Sequence, residues 1–199
     1  MGTPFDPRPV TLEGAHVRLE PLAPAHAEAL FAIGGDAPSW RWLTRPELTS
    51  LDDARRYVQR TLELAATGME VPFVIVHRGA GAVAGCTRYM EIRREDRGLE
   101  IGGTWLDVDW QRTAVNTECK YLLMRHAFEV LGAVRVQLKT DLRNLRSQAA
   151  IERIGAKREG VLRRHKLTRD NFIRDSVFFS VIDREWPEVK QRLEGMMRP

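Results

Sequence analysis

A polar segment at residues 111–116, between two apolar stretches, is the part of the sequence best suited to bind an anion. The residues before it, 99–106, carry apolar side chains on one face of a period-two pattern, which predicts a strand. The residues after it, up to Leu131, carry apolar side chains at helical spacing, which predicts a helix capped by Asn116 or Thr117. A strand that enters a turn and then a helix directs several backbone N–H groups toward one place, where a phosphate can bind. An ordinary strand–loop–helix connection is the alternative.

Other common catalytic and nucleotide-binding arrangements are absent from the sequence. The five histidines are scattered, and none stands in an H-E-x-x-H motif or beside a C-x-x-C motif, so we expect no metal site. No G-x-S-x-G elbow occurs, which disfavours a nucleophilic hydrolase. The G-x-x-x-x-G-K-[ST] and G-x-G-x-x-G nucleotide loops are also missing. We interpret Cys86 and Cys119 as small buried hydrophobes in a reduced cytoplasm.

The composition is that of a single globular domain, which we place at residues 1–199 with a peripheral N-terminal segment at residues 1–13. Hydrophobic residues make up 43% of the chain and charged residues 29%. No apolar run approaches the roughly 20 residues that span a bilayer, so we expect no membrane partner. The N-terminus lacks an apolar signal core, which favours a cytoplasmic protein.

Periodicity and turn residues predict the elements that position the polar segment. We expect strands at residues 17–22, 71–77, 83–92, 99–106, 134–140, 157–167 and 172–182. We expect helices at residues 25–33, 50–67, 117–131, 144–154 and 186–197. This mixed order predicts an α+β fold with one central sheet. Gly102 and Gly103 inside the fourth strand permit a bulge or the close approach of another backbone.

The polar segment and its flanks resemble the GNAT superfamily of acyl-CoA-dependent N-acetyltransferases. In that family a loop of pattern Gln/Arg-x-x-Gly-x-Gly/Ala cradles the coenzyme A pyrophosphate, and here the loop reads QRTAVN. Gln111 matches the pattern, whereas Ala114 and Asn116 stand where glycine or a small residue is usual. The flanks EIGGTWLD and NTECKYLLMRHAFE look like the branch that acetylates the N-termini of ribosomal proteins. The resemblance continues from His16 to Trp186.

The resemblance implies a fold and a coenzyme site. The fold is a mixed, mostly antiparallel sheet of about seven strands flanked by helices, splayed between the strands near residues 99–106 and 134–140. The pantetheine arm of acetyl-CoA, the expected cosubstrate, inserts at the splay. The implied coenzyme-binding residues are Thr104, Trp105, Leu106, Val108, Gln111, Arg112, Thr113, Ala114, Val115, Asn116, Thr117, Asn144 and Ser147.

Direct acyl transfer requires a positioned amine and a group that removes its proton. Glu100, on the strand just before Gly102, is our candidate for the base, and a solvent-facing strand glutamate is the alternative. Ser147 can bind pantetheine or steer a proton to the leaving thiolate. Phe178 and Phe179 occupy the place where the family often has a tyrosine acid, so Ser147 or water takes that role, or the thiol is protonated after release. Asn144 is also a good helix cap. Glu118 is expected to point away from the phosphates, which it would repel.

The acceptor is expected to be a primary amine, either a protein N-terminus or a small amine. Trp40 and Trp42, in the loop at residues 36–49, and Glu100 are the candidate acceptor-binding residues. A net charge of +4 with basic residues crowded in the second half fits either a solvated face or an anionic ligand. A non-catalytic CoA-binding regulatory module and an RNA- or ribosome-associated binding protein are the alternatives, with nucleic acid the less favoured partner. A homodimer is left open.

Overall fold

The computed structural model describes residues 5–34, 42, 48–168 and 171–198. Its strands are β1 (Leu12–Glu13), β2 (Val17–Pro21), β3 (Val71–His77), β4 (Ala82–Arg93), β5 (Gly98–Leu106), β6 (Arg135–Asp141), β7 (Lys157–Leu167) and β8 (Ile173–Ile182). Its helices are α1 (Ala27–Gly34), α2 (Leu51–Ala66), α3 (Ala114–Arg125), α4 (Leu145–Arg153) and α5 (Trp186–Met197). Trp40 lies outside the described residues.

One sheet, with the strand order β1-β2-β3-β4-β5-β6-β8-β7, forms the centre of the described structure. Neighbouring strands are antiparallel except β5 and β6, which run parallel. The α+β fold with a mostly antiparallel central sheet is therefore confirmed. The sheet has eight strands rather than about seven because the two-residue β1 pairs with β2 ahead of the first predicted strand.

β5 and β6 separate soon after they meet. Their parallel pairing covers only residues 98–100 against residues 135–137. Beyond that point β5 stays bonded to β4, and β6 stays bonded to β8. The predicted splay is confirmed, and it leaves a row of β5 backbone groups facing the gap.

The sheet divides two apolar layers. One face packs against α3 and α5 and includes Leu99 and Ile101. The other face packs against α1 and α2 and includes Val74 and Trp105. Because side chains alternate along a strand, Glu100 points to the α1 and α2 side. A ligand in the splay can therefore be reached from both faces.

Both cysteines are buried, as predicted, and neither forms a disulfide within the described chain. Burial raises the pKa of the Cys119 thiol to about 11. Across the ranges that the structure describes, no helix has the length and apolarity required to cross a membrane. The same ranges contain no group of three His, Cys, Asp or Glu side chains able to hold a metal ion.

Candidate active site

A cavity of about 750 Å³ opens where β5 and β6 separate. Its walls come from β5, the turn before α3, the α3 and α4 helices, β6 and the hairpin of β7 and β8. It brings together these side chains proposed from the sequence: Trp42, Glu100, Thr104, Trp105, Leu106, Gln111, Arg112, Thr113, Asn116, Asn144 and Ser147. Residues far apart in the sequence thus meet in one space.

The turn before α3 is held by its own side chains. Thr113 caps the helix, since its hydroxyl accepts a hydrogen bond from the Val115 N–H at 3.3 Å. The predicted caps, Asn116 and Thr117, are wrong, because the helix begins at Ala114 and places Asn116 in its first turn. The N–H groups of that first turn have no partner within the helix. An anion at this point would meet those donors and the positive end of the helix dipole.

Gln111 ties this turn to its neighbours. Its amide nitrogen donates to the Leu106 carbonyl at 3.0 Å, and its amide oxygen accepts from Arg146 at 2.6 Å. Arg112, the next residue, has a φ of 64° and therefore lies in the left-handed region. The chain therefore reverses sharply between β5 and α3. The hydrogen bond to Gln111 holds the side chain of Arg146, from α4, beside this turn.

A β-bulge interrupts β5 in the middle of the cavity wall. Cys86 pairs with Trp105, but Arg88 pairs with Gly102, so two β5 residues oppose one β4 residue. Gly103 has a φ of 58°, and a Cβ there would lie 2.5 Å from the Arg88 Nε. The close approach predicted from the strand glycines is therefore present at the bulge.

Glu100 is buried at the point of the splay, with 1% of its surface exposed. Its Oε2 accepts hydrogen bonds from Gln137 at 2.8 Å and from Lys139 at 2.9 Å. Its Oε1 lies beside Gly102, where a Cβ would be only 2.8 Å away. The solvent-facing alternative for this glutamate is excluded, because β6 covers the carboxylate and supplies both donors.

Residues 16–157 match the family model described as Acetyltransferase (GNAT) domain. The chain belongs to the GNAT acetyltransferase family. It is therefore an acetyltransferase with the fold that the sequence resemblance implied.

Individual relatives agree with this GNAT assignment. The Bacillus subtilis (strain 168) protein named "Putative ribosomal N-acetyltransferase YdaF" is 27% identical over 177 residues, which cover 86% of this chain and 93% of that protein. A solved structure described as a "putative acetyltransferase" from T. thermophilus is 42% identical, covers 96% of this chain and 99% of its own, and superposes with a TM-score of 0.87. Mycobacterium smegmatis RimJ in complex with CoA-disulfide is 20% identical, with 98% and 97% coverage and a TM-score of 0.82, so it supports the fold alone.

Four residues proposed for the coenzyme site of this GNAT enzyme do not line the cavity. Val108 is 52% exposed, and Val115 belongs to the core. The Thr117 hydroxyl is buried and accepts a hydrogen bond from Arg153. Ala114 is the first residue of α3. Their side chains do not face the cavity, so a contribution from these positions would come through the backbone.

Glu118 in the first half of α3 points away from the cavity, as expected. Its carboxylate accepts hydrogen bonds from the backbone N–H groups of Ala15, His16 and Val17 at 2.6–2.7 Å. It therefore joins α3 to the turn between β1 and β2. Because these three N–H groups bind the carboxylate on the far side of the helix, its negative charge does not repel an anion at the start of α3.

The α4 side of the GNAT cavity presents Asn144 and Ser147. Asn144 caps α4, because its Oδ1 accepts from the Ser147 N–H at 3.1 Å. The Ser147 hydroxyl makes no hydrogen bond with the rest of the described chain, and its residue lines the cavity. That hydroxyl can therefore donate to or accept from a ligand.

Cations dominate the lining, which favours the anionic-ligand interpretation of the basic second half of the sequence over a solvated face. Among the described residues that line the cavity, one residue, Glu100, is acidic and eight are basic. These are Arg88, Arg112, Lys120, Lys139, Arg146, Arg153, Lys166 and Arg174. An excess of this size in a partly enclosed space favours an anionic ligand.

Three of these cations are buried, namely Arg88, Lys120 and Arg174, and none of them was proposed as a site residue from the sequence. The Lys120 ammonium donates to the Thr104 hydroxyl at 2.6 Å, and burial lowers the pKa of Lys120. Arg88 bonds Glu70 and Tyr57, while its Nε has no hydrogen-bond partner in the described chain. Lys120 follows Asn116 by four residues and so shares its helix face, a signal that could have identified it.

Proposed function

We propose that this GNAT enzyme transfers the acetyl group of acetyl-CoA to a primary amine by direct attack of the amine on the thioester. One observation carries the proposal: the cavity at the splay is lined by the start of α3 on one side and by the buried carboxylate of Glu100 on the other. The two halves of that cavity suit the two substrates of an acetyl transfer.

Three features of the coenzyme side support acetyl-CoA as the cosubstrate. The first turn of α3 offers N–H donors for a pyrophosphate, and Arg112, Arg146 and Arg153 lie around it. The β5 backbone beyond the splay has groups that no β6 strand pairs, and pantetheine amides are suitable partners for them. The volume of about 750 Å³ falls within the range of small-molecule sites.

The chemistry requires few groups. A C–N bond forms between the amine and the acetyl carbon, the C–S bond breaks, and the amine loses a proton. Oε1 of Glu100 can accept that proton directly or through a water molecule, since Gln137 and Lys139 occupy Oε2 and hold the carboxylate still. The leaving thiolate takes a proton from the Ser147 hydroxyl, which solvent restores, or from water.

The acceptor that we propose is a protein N-terminal amine. The name of the B. subtilis relative, which describes a ribosomal N-acetyltransferase, supports this choice at 27% identity. Trp42 lines the acceptor side of the cavity, and its carbonyl accepts a hydrogen bond from Arg174 at 3.3 Å. A peptide N-terminus would therefore approach Glu100 past an aromatic side chain.

A thiol-release assay tests the proposal. Acetyl-CoA is incubated with the protein and a panel containing short peptides, free amino acids and spermidine, and acetylated acceptors are identified by mass spectrometry. We expect thiol release that requires an amine and yields an acetylated peptide. Tight acetyl-CoA binding in calorimetry without thiol release for any acceptor would instead support the non-catalytic regulatory module.

A further inference from the structure

A second group of charged side chains lies on the Glu100 side of the cavity, across the sheet from the α3 turn. Lys139 is adjacent to Phe178 on the next strand, and Lys166 is adjacent to Arg174. Because side chains alternate along strands, Lys139, Phe178 and Arg174 share the sheet face to which Glu100 points. Lys139, Lys166 and Arg174 all line the cavity.

The carboxylates near these cations are already paired. Glu100 accepts from Lys139, and Glu91 lies 3.7 Å from the same ammonium. Asp141 forms two charged hydrogen bonds with Arg143, at 2.9 and 3.0 Å. Asp141 thus has its own cation, whereas Glu91 and Glu100 share the single ammonium of Lys139.

Lys166 and Arg174 make no direct pair of this kind, and carboxylates act on them only at longer range: Glu91 and Glu100 on Lys166, and Asp141 and Glu100 on Arg174. No carboxylate of the described residues lies within 4 Å of either cation. Arg174 is 6% exposed, and its hydrogen bonds go to neutral oxygens, the Ser176 hydroxyl at 2.9 Å and the Trp42 carbonyl at 3.3 Å. Burial lowers the pKa of both Lys166 and Arg174. Arg174 is buried and Lys166 is half-buried. A cation without a direct partner is costly in such a place, and an anionic ligand would offset that cost.

The phosphates of coenzyme A are poor candidates for this anion, because their donors lie at the start of α3 on the opposite face of the sheet. An acceptor would lie between Glu100 and the two unpaired cations. We propose that the acceptor carries a carboxylate close to its reacting amine, and that Lys166 and Arg174 bind this carboxylate while Glu100 faces the amine. This inference rests on the proposed acetyl transfer and narrows its substrate class.

The required chemistry occurs in two sources, and matched acceptors distinguish them. An N-terminal peptide with an acidic second residue, Ser-Glu-Ala-Ala-amide, is compared with Ser-Gln-Ala-Ala-amide. Free glutamine, which has an α-carboxylate, is compared with glutamine amide, which has none. We expect kcat/KM to be about ten- to hundredfold higher for the anionic member of at least one pair, since hydrogen bonds to charged groups contribute roughly 1.5–3 kcal/mol. Spermidine should be a poor acceptor.

Substitutions then assign the preference to the two cations. Lys166→Met and Arg174→Gln should each reduce the ratio of kcat/KM between the anionic and neutral members toward one, with acetyl-CoA affinity unchanged. Arg163→Gln is the matched control, because it removes a charge from the exposed surface of the same hairpin. It should preserve the preference. Circular dichroism checks that each variant is folded. If Arg174→Gln does not fold, Lys166→Met alone provides the test of the anion preference.

Calorimetry provides a readout that is independent of turnover. The N-acetylated form of the acidic peptide should bind the protein more tightly than the N-acetylated neutral form, and Lys166→Met should remove the difference. Equal kcat/KM within both acceptor pairs would overturn the inference and leave acetyl transfer intact. Absent thiol release with every acceptor would contradict the proposed function, and equal binding of the two acetylated peptides would then overturn the anion site as well.

Discussion

The two sides of the cavity are built from different kinds of groups. On the α3 side, the donors are backbone N–H groups of one short segment, and its shape comes from the Thr113 cap and the Arg112 turn. On the Glu100 side, the donors and acceptors are side chains that β5, β6, β7 and β8 bring together. Binding by backbone groups depends on the path of the chain and tolerates changes of side chain. Binding by side chains depends on the identity of each residue.

This difference explains why the loop departs from the usual family pattern without losing the features of an anion site. Ala114 and Asn116 stand where glycine or a small residue is usual, yet the helix start and its donors are present. On the Glu100 side, removal of one charged partner would leave the other buried without compensation. We therefore expect substitutions on the Glu100 side to have larger effects than comparable changes at the α3 turn.

The largest effect is expected for Glu100→Gln. General base catalysis contributes roughly 10²- to 10⁴-fold, so kcat should fall on that scale while acetyl-CoA binding is retained. Glu91→Gln is the matched control, because Glu91 also lies near Lys139 but is 46% exposed, and its kcat should change little. Steady-state thiol release measures both variants. A loss below about threefold for Glu100→Gln would assign the proton transfer to another group.

A smaller effect is expected for Asn116→Asp at the α3 turn. The new carboxylate would line the cavity beside the phosphates and repel them, so the Kd for acetyl-CoA should rise about tenfold, equivalent to about 1.4 kcal/mol. An acidic residue in a first helical turn is favourable for the helix, so the fold should be retained.

Calorimetry measures this change, with Asn171→Asp on the exposed turn between β7 and β8 as the control. Unchanged affinity in Asn116→Asp would remove the helix start from the coenzyme site. Ala114→Ile is expected to weaken binding less than Asn116→Asp, because the Ala114 side chain does not line the cavity.

The bulge between the two sides can be tested through stability. Gly103→Ala should destabilise the fold by about 1–2 kcal/mol for the left-handed φ alone and by more because the Cβ meets Arg88. Gly81→Ala is the control, since Gly81 has a similar φ of 62° and its Cβ would meet nothing within 4 Å. Denaturant unfolding compares the two variants. Equal losses would show that the bulge is not tightly packed.

The smallest effect is expected from the buried charge of Lys120. Burial lowers the pKa of Lys120 in the folded state, so the unfolded chain holds the proton more tightly. The unfolding free energy should therefore rise with pH between that lowered pKa and the ordinary lysine value of about 10.4. Lys120→Met should remove this rise and leave the protein at least as stable at neutral pH. A pH dependence identical to that of the parent chain would contradict an uncompensated buried lysine.

The predictability of the two sides from sequence differs for the same reason. The α3 turn is contiguous, so local pattern alone identified the strand, the polar turn and the helix. The sequence predicted the cap of α3 at Asn116 because asparagine is a good cap residue. In the structure the turn places Thr113 at the cap position instead. Several neighbouring residues can each cap a helix by local sequence criteria. The three-dimensional path of the chain decides which of them does so.

The Glu100 side was only partly predictable. Alternation along β5 identified the face of Glu100, but its burial depends on Gln137 and Lys139 from a strand more than thirty residues away. Lys166 and Arg174 belong to a hairpin whose position in the sheet follows from the strand order, which no local pattern encodes. Charged strand residues look solvent-exposed in a sequence until the sheet topology places them over a cavity.

The most direct test of the account measures two quantities on two variants: the Kd for acetyl-CoA by calorimetry, and kcat at saturating acetyl-CoA and amine. We expect Asn116→Asp to raise Kd about tenfold with little change in kcat. We expect Glu100→Gln to lower kcat at least about a hundredfold with Kd unchanged. If both variants altered the same quantity, or if Asn116→Asp changed only kcat, the separation of the cavity into a coenzyme side and a catalytic side would be contradicted.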